Sequence, residues 1–248
     1  MQMKYGVGTD KGIVRDKNED CHAVIDCRNK GYMVFAVADG MGGMDFGDVA
    51  SKMAVEVLEK TFGGCPGTGG ADPGMNKILG DMFNRINLEI IEKCVEVRSV
   101  SGMGTTLSLC VLSEGKAYTG HIGDSRVYVA GKDRIRQLTK DHSYVEELVD
   151  CGRITREQAR YHPNRNIITR ALGLDRDIDV DIFNFEASAG DIIMLCTDGL
   201  TNAVEDCEIL EIVMNTADPA EAVQKLIDKA NERGGRDNVT VQLIYMEE

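Results

Sequence analysis

The chain has 248 residues, and its 41 acidic side chains exceed its 28 basic ones, which gives a net charge of −13. Hydrophobic residues make up 43% of the sequence, which is enough for a packed core and excludes a disordered chain. The acidic balance argues against nucleic acid and anionic membranes as partners, because both require clustered lysine and arginine. The length fits one large domain or two small ones.

The cysteines and the apolar runs bear on where the protein works. No apolar run approaches the ~20 residues that span a bilayer, and the first residues, Met1–Gly6, lack the apolar stretch of a signal peptide. None of the eight cysteines forms a C-x-x-C pair, and Cys110 and Cys196 lie inside apolar runs. Free thiols in a reducing compartment explain this pattern better than disulfides or a zinc site. We therefore predict a cytoplasmic protein.

The predicted elements begin with a buried strand over Tyr32–Ala38. Apolar residues at three- and four-residue steps then predict two amphipathic helices, around Val49–Leu58 and Ile78–Cys94. Between them, Gly63–Gly74 contains six glycines and two prolines in twelve residues. Such a stretch favours a loop, because it supports neither a helix nor a sheet ladder.

Short apolar runs dominate the second half of the chain. Two pairs of runs separated by turn residues predict β-hairpins: Thr105–Leu112 with Lys116–Ile122, and Arg126–Ala130 with Asp133–Leu138. Asp191–Cys196 and Val239–Tyr245 add two more strands. Strands that pair through short turns favour antiparallel sheets covered by helices, an α+β fold, over a doubly wound parallel sheet.

Near the C-terminus, a helix is predicted by its start and stop signals. Asp218 is a capping residue, Pro219 suits the first helical position and Glu221 the third. Gly234-Gly235 ends this helix.

Residues 139–170 differ from the strand-rich sequence around them. The segment is charged and contains two short helix candidates, each with a predicted capping box: Ser143 with Glu146, and Thr155 with Gln158. Because the segment interrupts a run of strands, we interpret it as an inserted flap.

Four aspartates lie at the ends of predicted strands. Asp39 and Asp198 each follow an apolar run and precede glycine, Asp124 follows Gly123, and Asp237 comes just before the last strand. Oxygen ligands of this kind suit hard divalent cations such as Mg²⁺ or Mn²⁺. For a single Asp-Gly pair, ordinary turn chemistry is the commoner explanation. The spacing alone leaves both a metal site and simple turns open.

The charged run Arg15–Asp20 has two interpretations. It can be a solvated turn, which is the usual fate of such runs. Alternatively, its arginine can grip two oxygens of a phosphate beside acidic groups that hold metal-bound water. The glycine-rich segment Asp39–Gly43 lacks a Gly-Lys-Ser/Thr ending, which excludes a nucleotide P-loop.

Taken together, these motifs resemble the metal-dependent protein serine/threonine phosphatases of the type 2C class, in their compact bacterial form. The resemblance runs from about Tyr5 to Tyr245. The motifs that carry it are RDKNED (Arg15–Asp20), DGMGG (Asp39–Gly43), GMGTT (Gly102–Thr106), HIGDSR (His121–Arg126), LTKDHS (Leu138–Ser143), HPNRNIITRALG (His162–Gly173), CTDGL (Cys196–Leu200) and GGRDNVT (Gly234–Thr240).

The resemblance implies one catalytic domain over residues 1–248, built as a four-layer α/β/β/α sandwich of two antiparallel sheets flanked by helices. It implies hydrolysis of phosphoserine and phosphothreonine in proteins by a water that bridges two Mg²⁺ or Mn²⁺ ions. The expected partners are phosphoprotein substrates and a cognate bacterial serine/threonine kinase, and we expect a monomer. The 139–170 segment matches the flap of the family, which borders the cleft and affects substrate choice.

The resemblance also implies a set of metal ligands. Asp39 would bridge the two ions, and the carbonyl of Gly40 would bind one of them. Asp198 and Asp237 would complete the first site. Asp124 would help to bind a third, weaker ion together with Asp198.

Three further residues receive roles by the same resemblance. Asp20 would orient metal-bound water, Glu19 would be an outer ligand, and Arg15 would hold the substrate phosphate. No cysteine lies in a phosphate-loop setting, which excludes a cysteine-based tyrosine phosphatase.

One departure from the family concerns the leaving-group proton. Family members usually carry a histidine in the Asp-Gly loop, where this chain has Met41 and Met44. A metal-bound water, His22 or His142 are the alternative proton donors. The departure keeps a second hypothesis open, a catalytically weak, phosphatase-like binding module. A third, a metal-dependent phosphodiesterase acting on nucleotides, is disfavoured by the acidic charge and the missing nucleotide loop.

Overall fold

A computed structural model describes residues 2–42, 46–64, 74–97, 102–132 and 134–247. The strands are β1 (Met3–Asp10), β2 (Asp20–Cys27), β3 (Tyr32–Gly42), β4 (Met103–Thr105), β5 (Leu107–Ser113), β6 (Lys116–Ile122), β7 (Arg126–Gly131), β8 (Arg134–Gln137), β9 (Asp181–Glu186), β10 (Ile192–Cys196) and β11 (Val239–Met246). The α-helices are α1 (Gly47–Gly64), α2 (Gly74–Glu96), α3 (Tyr144–Asp150), α4 (Arg156–Arg160), α5 (Asp198–Thr201), α6 (Asp206–Met214) and α7 (Pro219–Glu232).

The strands form two antiparallel sheets. In one the order is β1-β11-β10-β7-β8, and in the other it is β2-β3-β5-β6-β9, with β4 paired to the end of β3. The first and last strands of the chain, β1 and β11, are neighbours over eight residue pairs. This pairing joins the two ends of the sequence and brings the segment before β11 close to the segment after β1.

Three hydrophobic clusters separate four layers. Phe35 and Cys110 of one sheet pack against Ile193 and Ile244 of the other, in the cluster between the sheets. A second cluster lies between the β2–β9 sheet and helices α1 and α2. A third lies between the β1–β8 sheet and helices α6 and α7. The predicted α/β/β/α sandwich is therefore confirmed.

Most local predictions agree with the structure. Both hairpins form, and α7 begins at Pro219 with the Asp218 side chain accepting hydrogen bonds from the N–H groups of Ala220 and Glu221. The predicted glycine-rich loop overlaps the helices on either side: Gly63 and Gly64 are the last two residues of α1, and Gly74 is the first residue of α2. The central part of the predicted loop, 65–73, lies outside the described residues.

The prediction for β3 stopped too early. The strand continues past Ala38 to Gly42, because Gly40, Met41 and Gly42 pair with β4. Asp39 is therefore inside a strand that changes partner, from β5 to β4, and not at a strand end. The later part of the glycine-rich motif, residues 43–45 with Met44, lies outside the described residues.

The 139–170 segment contains α3 and α4, as predicted, but one of its capping boxes is incomplete. Thr155 and Gln158 form the reciprocal box at α4. At α3 the Ser143 side chain accepts from the Glu146 N–H, while the Glu146 carboxylate binds Arg156 at 2.9 Å. That ion pair joins α3 to α4, so Glu146 holds the flap together instead of closing a box. Within the described residues, no helix has the length and apolar character needed to cross a bilayer.

Candidate metal centre

The site lies where strand ends of the two sheets come together. Asp20 at the start of β2 lies directly opposite Asp39 of β3 in the strand register. Oδ2 of Asp20 accepts hydrogen bonds from the hydroxyls of Thr197, 2.8 Å away, and Thr240, 2.7 Å away. Both threonines belong to the opposite sheet or its edge, so Asp20 links the two sheets at this point.

Asp39 is held in place through its backbone. Its N–H donates to Oγ1 of Thr106 at 2.9 Å, and the Thr106 N–H donates back to the Asp39 carbonyl at 2.9 Å. The next residue must be glycine, because a Cβ on Gly40 would lie 2.1 Å from the carbonyl oxygen of Gly47 and 2.6 Å from that of Glu19. This close approach fixes the Gly40 backbone beside the carboxylates.

Asp124 and Asp198 reach the same place from other strands. Asp124 follows β6 and is buried, with 7% of its surface exposed. Asp198 begins α5 directly after β10, and its Oδ2 accepts a hydrogen bond from Nδ2 of Asn202 at 2.9 Å. Three buried carboxylate oxygens, Oδ1 of Asp20, Asp124 and Asp198, have no hydrogen-bond partner within the described part of the chain. Buried anionic oxygens without a donor are costly unless a cation binds them.

Burial and mutual repulsion raise the pKa values of these carboxylates. Burial raises the pKa of Asp39 well above its usual range, and the charges of Asp20, Asp198, Asp124 and Asp237 raise it further. Burial and the Asp237 charge raise the pKa of Asp198 to about 6. Burial is likewise the main cause that raises the pKa of Asp20 to about 7 and that of Asp124 well above its ordinary value. A bound cation would reverse these shifts.

Arg15 and Asp237 form an ion pair at the rim. Nη2 of Arg15 donates to Oδ2 of Asp237 at 2.8 Å, with about half of the arginine side chain exposed. Burial works against the charge of Arg15, but this hydrogen bond and the nearby carboxylates of Asp39 and Glu19 raise its pKa overall. Glu19 also lies close to the Gly40 carbonyl. A Cβ placed on Gly47 would be 2.7 Å from Oε1 of Glu19 and 2.8 Å from the carbonyl oxygen of Gly40, so these two oxygens are near each other.

The predicted site residues are thus brought together, and the structure adds others that the sequence did not single out. Asn238 is buried, and its Nδ2 donates to the carbonyls of Lys11 and Lys17, while its Oδ1 accepts from the Glu19 N–H. These bonds fasten the 11–19 segment to the start of β11. The sequence feature that could have identified Asn238 is its position directly after Asp237, since asparagine side chains commonly hydrogen-bond neighbouring backbone in turns.

A partly buried ion pair lies close to Asp124 and Asp198. Arg126 binds both carboxylate oxygens of Asp141, at distances from 2.7 to 3.1 Å, and its Nη1 donates to the Tyr128 hydroxyl at 2.9 Å. The Arg126 charge counteracts the raised pKa of both Asp124 and Asp198. Arg126 was visible only as part of the GDSR motif, and its partner Asp141 is fifteen residues away.

The two histidines considered as proton donors, His22 and His142, differ in how they are held. Nδ1 of His142 accepts from the Gly123 N–H at 3.1 Å, and its Nε2 lies 3.4 Å from Asp181, so both ring nitrogens are engaged. The His142 ring also lies 4.9 Å from that of His121. His22 is on β2, two residues from Asp20 and therefore on the same face of the strand. His142 is thus occupied in fixing the Gly123–Asp124 turn.

The carboxylate cluster fits a hard divalent cation. Within the residues that the structure describes, there is no group of three or more histidine, cysteine, aspartate or glutamate side chains that could hold a metal ion by themselves. Mg²⁺ does not require one, because it is usually bound through one or two carboxylates together with waters and other oxygens. The unpartnered carboxylate oxygens of Asp20, Asp124 and Asp198 meet that requirement.

The fold and this cluster define a metal-dependent phosphatase, and the comparisons agree. Residues 8–233 match the sequence model of the family described as protein phosphatase 2C. The chain belongs to that family, and its activity class is that of the metal-dependent serine/threonine phosphatases.

Individual relatives resemble the chain over nearly its whole length. It is 39% identical to the serine/threonine phosphatase stp of Listeria innocua over 95% of this chain and 93% of that protein. It is 35% identical to the protein phosphatase PhpP of Streptococcus pneumoniae, over 99% of this chain and 98% of that protein.

Solved structures agree with the fold. The crystal structure of the phosphatase Stp1 from Staphylococcus aureus has a TM-score of 0.93 at 32% identity, with 100% of this chain and 96% of that chain covered. The catalytic domain of the phosphatase PstP, crystallised with two manganese ions, has a TM-score of 0.85 at 34% identity, with 99% of each chain covered.

Proposed function

We propose that Asp39, Gly40, Asp198 and Asp237 hold two Mg²⁺ or Mn²⁺ ions at this site, with Asp124 contributing to a third. The observation that carries the proposal is the set of buried, unpartnered carboxylate oxygens of Asp20, Asp124 and Asp198, whose charges act on Asp39 together with that of Asp237. When bound, the ions supply positive charge that polarises the phosphoryl oxygens and lowers the pKa of water. The remaining chemistry belongs to residues of the chain.

Asp20 is proposed to orient the attacking water. Its Oδ2 is occupied by the hydroxyls of Thr197 and Thr240, which fix the carboxylate in one orientation. Its Oδ1 is buried and unpartnered in the described structure, so it is free to accept a hydrogen bond from a water in the site. A fixed acceptor holds the attacking oxygen in line without an entropic cost at the moment of reaction.

Arg15 is proposed to bind the substrate phosphate at the rim. Its guanidinium presents several donors in a planar fork, and only Nη2 is bound to Asp237. The other donors can reach two phosphoryl oxygens and stabilise the charge that develops there. Glu19, which lies close to the Gly40 carbonyl, is proposed as an outer ligand acting through water.

The leaving serine or threonine oxygen requires a proton, and the chain has Met41 where the family usually has histidine. Both nitrogens of His142 are engaged, which disfavours it as the donor. We therefore propose that water in the site supplies this proton, with His22 as the alternative. A pH–rate profile that His22→Ala leaves unchanged would support water as the donor.

The substrates are phosphoproteins. We propose that they are phosphorylated by a cognate serine/threonine kinase, that the protein acts as a monomer with a single catalytic domain over residues 1–248, and that it works in the cytoplasm. Buried thiols such as Cys110 and Cys196, whose pKa burial raises to about 12, suit a reducing compartment.

The test is release of phosphate from a phosphothreonine peptide before and after chelation, with Mn²⁺ then restored. Asp39→Asn and Asp198→Asn are the test variants, and Asp191→Asn, an aspartate in a turn before β10, is the matched control. The proposal predicts release by wild type and control only when the metal is present. Absence of release from the wild type at every metal concentration would support the binding-module hypothesis. Cleavage of a diester but not of the peptide would support the phosphodiesterase.

A further inference from the structure

A groove of about 540 Å³ leads away from the candidate metal centre. Asp124 and Asp198 line its inner end, and it runs outward between the flap helices α3 and α4 and the segment from α5 to the start of α6. This volume is in the range of pockets that bind ligands, about 300–1,000 Å³. A phosphoresidue whose phosphate is at the metal centre would place the neighbouring residues of its peptide in this groove.

Charged side chains of both signs line the groove. Its flap side contributes the arginines Arg156, Arg160 and Arg165 together with the acidic Glu146 and Glu157, and its facing side contributes acidic residues of the segment from α5 to α6. A cluster of arginines is unexpected beside the catalytic site of a chain whose net charge is −13. With three arginines against two carboxylates, the flap side is the more basic side of the groove.

Most of these charges already have partners inside the protein. Arg156 binds Glu146 at 2.9 Å, Asp206 accepts a hydrogen bond from the Tyr128 hydroxyl at 3.3 Å, and Glu205 caps α6. Arg160 and Arg165 differ: both are partly buried, and neither makes an ion pair or side-chain hydrogen bond with any described residue. Partly buried guanidinium groups without an anion are available to bind one from outside.

We propose that Arg160 and Arg165 bind anionic side chains of the substrate, a carboxylate or a second phosphate, a few residues from the phosphoresidue. The inference rests on the proposed function, because the peptide must be anchored by its phosphate at the metal centre. Each peptide residue spans at most about 3.3–3.6 Å, so residues within about four positions of the anchor can reach along the groove. The enzyme would therefore prefer acidic sequences around its target.

The experiment measures kcat/KM for phosphothreonine peptides in which one flanking position at a time, up to four residues on either side, carries Ala, Glu, Lys or a non-hydrolysable phosphonate analogue of phosphoserine. We expect Glu to be preferred over Lys by about threefold to tenfold at one or more positions, the range of one or two solvent-exposed ion pairs. A larger effect with the phosphonate than with Glu would identify a second phosphate as the better ligand. The preference should shrink in 0.5 M salt, where screening is strong.

Charge-reversal variants locate the effect. In Arg160→Glu and Arg165→Glu, the ratio of Glu-peptide to Lys-peptide kcat/KM should fall to one or below. The matched control is Arg136→Glu, which changes the net charge equally. Arg136 is exposed on β8, one residue before the groove-lining Gln137 and therefore on the other face of the strand. It should keep the wild-type ratio.

The outcomes separate this inference from the proposed function. Hydrolysis of p-nitrophenyl phosphate by the wild type tests the metal centre alone, because that compound has no flanking residues. A wild-type protein that does not hydrolyse it would overturn the proposed function. If it is hydrolysed but the Glu and Lys peptides differ by less than twofold at every position, the inference is wrong. It is equally wrong if Arg136→Glu changes the ratio as much as Arg160→Glu and Arg165→Glu do.

Discussion

Nη2 of Arg15 lies 2.8 Å from Oδ2 of Asp237, so the group proposed to bind phosphate is paired with a group proposed to bind metal. The two residues are 222 positions apart and meet because β1 pairs with β11. A cation that takes Asp237 oxygens therefore competes with Arg15, and metal binding would release the guanidinium for the substrate. With the proposed roles of Arg15 and Asp237, occupancy of the metal site would be coupled to substrate binding.

This pairing predicts opposite effects of Arg15→Ala on two measurements. The loss of a charge-assisted contact to phosphate should lower kcat/KM for a phosphopeptide by about tenfold to a hundredfold. At the same time, the variant should bind Mn²⁺ more tightly in calorimetry, because the Arg15 guanidinium no longer competes for the Asp237 carboxylate. Arg28→Ala, which removes an exposed ion pair with Asp26, is the control and should change neither quantity. Weaker Mn²⁺ binding by Arg15→Ala would contradict the competition.

Removal of metal should destabilise the fold through the buried carboxylates. Burial and mutual repulsion raise the pKa of Asp39 and Asp198, so their ionised forms are strained at neutral pH when no cation is present. We expect Asp198→Asn to raise the melting temperature in chelator at pH 7.5, although it abolishes activity. In saturating Mn²⁺ the order should reverse, because only the wild type gains the binding energy of the ion. An Asp198→Asn protein that is less stable than wild type in chelator would refute this interpretation.

His121 gives a prediction about pH. Burial, followed by the neighbouring His142, lowers the pKa of His121 to about 4 from an ordinary 6.5. Between these values the unfolded chain binds a proton that the folded protein does not. The contribution of neutral His121 to the free energy of unfolding should therefore be fully present above pH 6.5. It should decline by about 1.4 kcal/mol per pH unit as the pH falls towards 4.

The measurement is urea unfolding of the Mn²⁺-loaded protein at pH 7.0, 6.0 and 5.0, compared with His121→Asn. The variant is expected to be less stable at pH 7.0, because the ring contacts Ser108 at 2.8 Å and the Lys140 carbonyl at 3.0 Å. The difference between the two proteins should narrow as the pH falls. A constant difference across this range would show that His121 is not held neutral by the fold.

Asn238 is predicted to stabilise the site through backbone contacts. Asn238→Ala removes three hydrogen bonds, to Lys11, Lys17 and Glu19, and should lower the free energy of unfolding by about 2–4 kcal/mol. Mn²⁺ affinity should fall as well, because Asn238 fastens the backbone of Glu19, the proposed outer ligand. Asn215→Ala, which removes an exposed bond to Glu211, should cost less than about 1 kcal/mol. Equal losses in the two variants would argue against a special role for Asn238.

The sequence predicts local features well where the signal is local. The Asp218-Pro219 start of α7 and the two hairpins depend on neighbouring residues, and all three were found where expected. Strands β1, β2, β4 and β9 were missed. Met3–Asp10 contains two glycines and Asp181–Glu186 is only partly buried, so neither has the apolar run or the clear burial that marks β3.

The site was predictable as a set of motifs but not as a geometry. The aspartates were identified because each belongs to a short motif in family order. The hydroxyls of Thr197 and Thr240 on Asp20, and the Arg126–Asp141 pair, depend on which strands become neighbours. Such contacts join residues distant in sequence, and no local pattern encodes them.

The proposed metal ligands are tested most directly by the anomalous electron density of crystals of the wild-type protein grown with Mn²⁺. We expect two strong peaks that share the Asp39 carboxylate, with Asp198, Asp237 and the Gly40 carbonyl among the ligands, and a weaker third peak beside Asp124. Density that places Mn²⁺ elsewhere, or a site that remains without Mn²⁺ at saturating concentration, would contradict it.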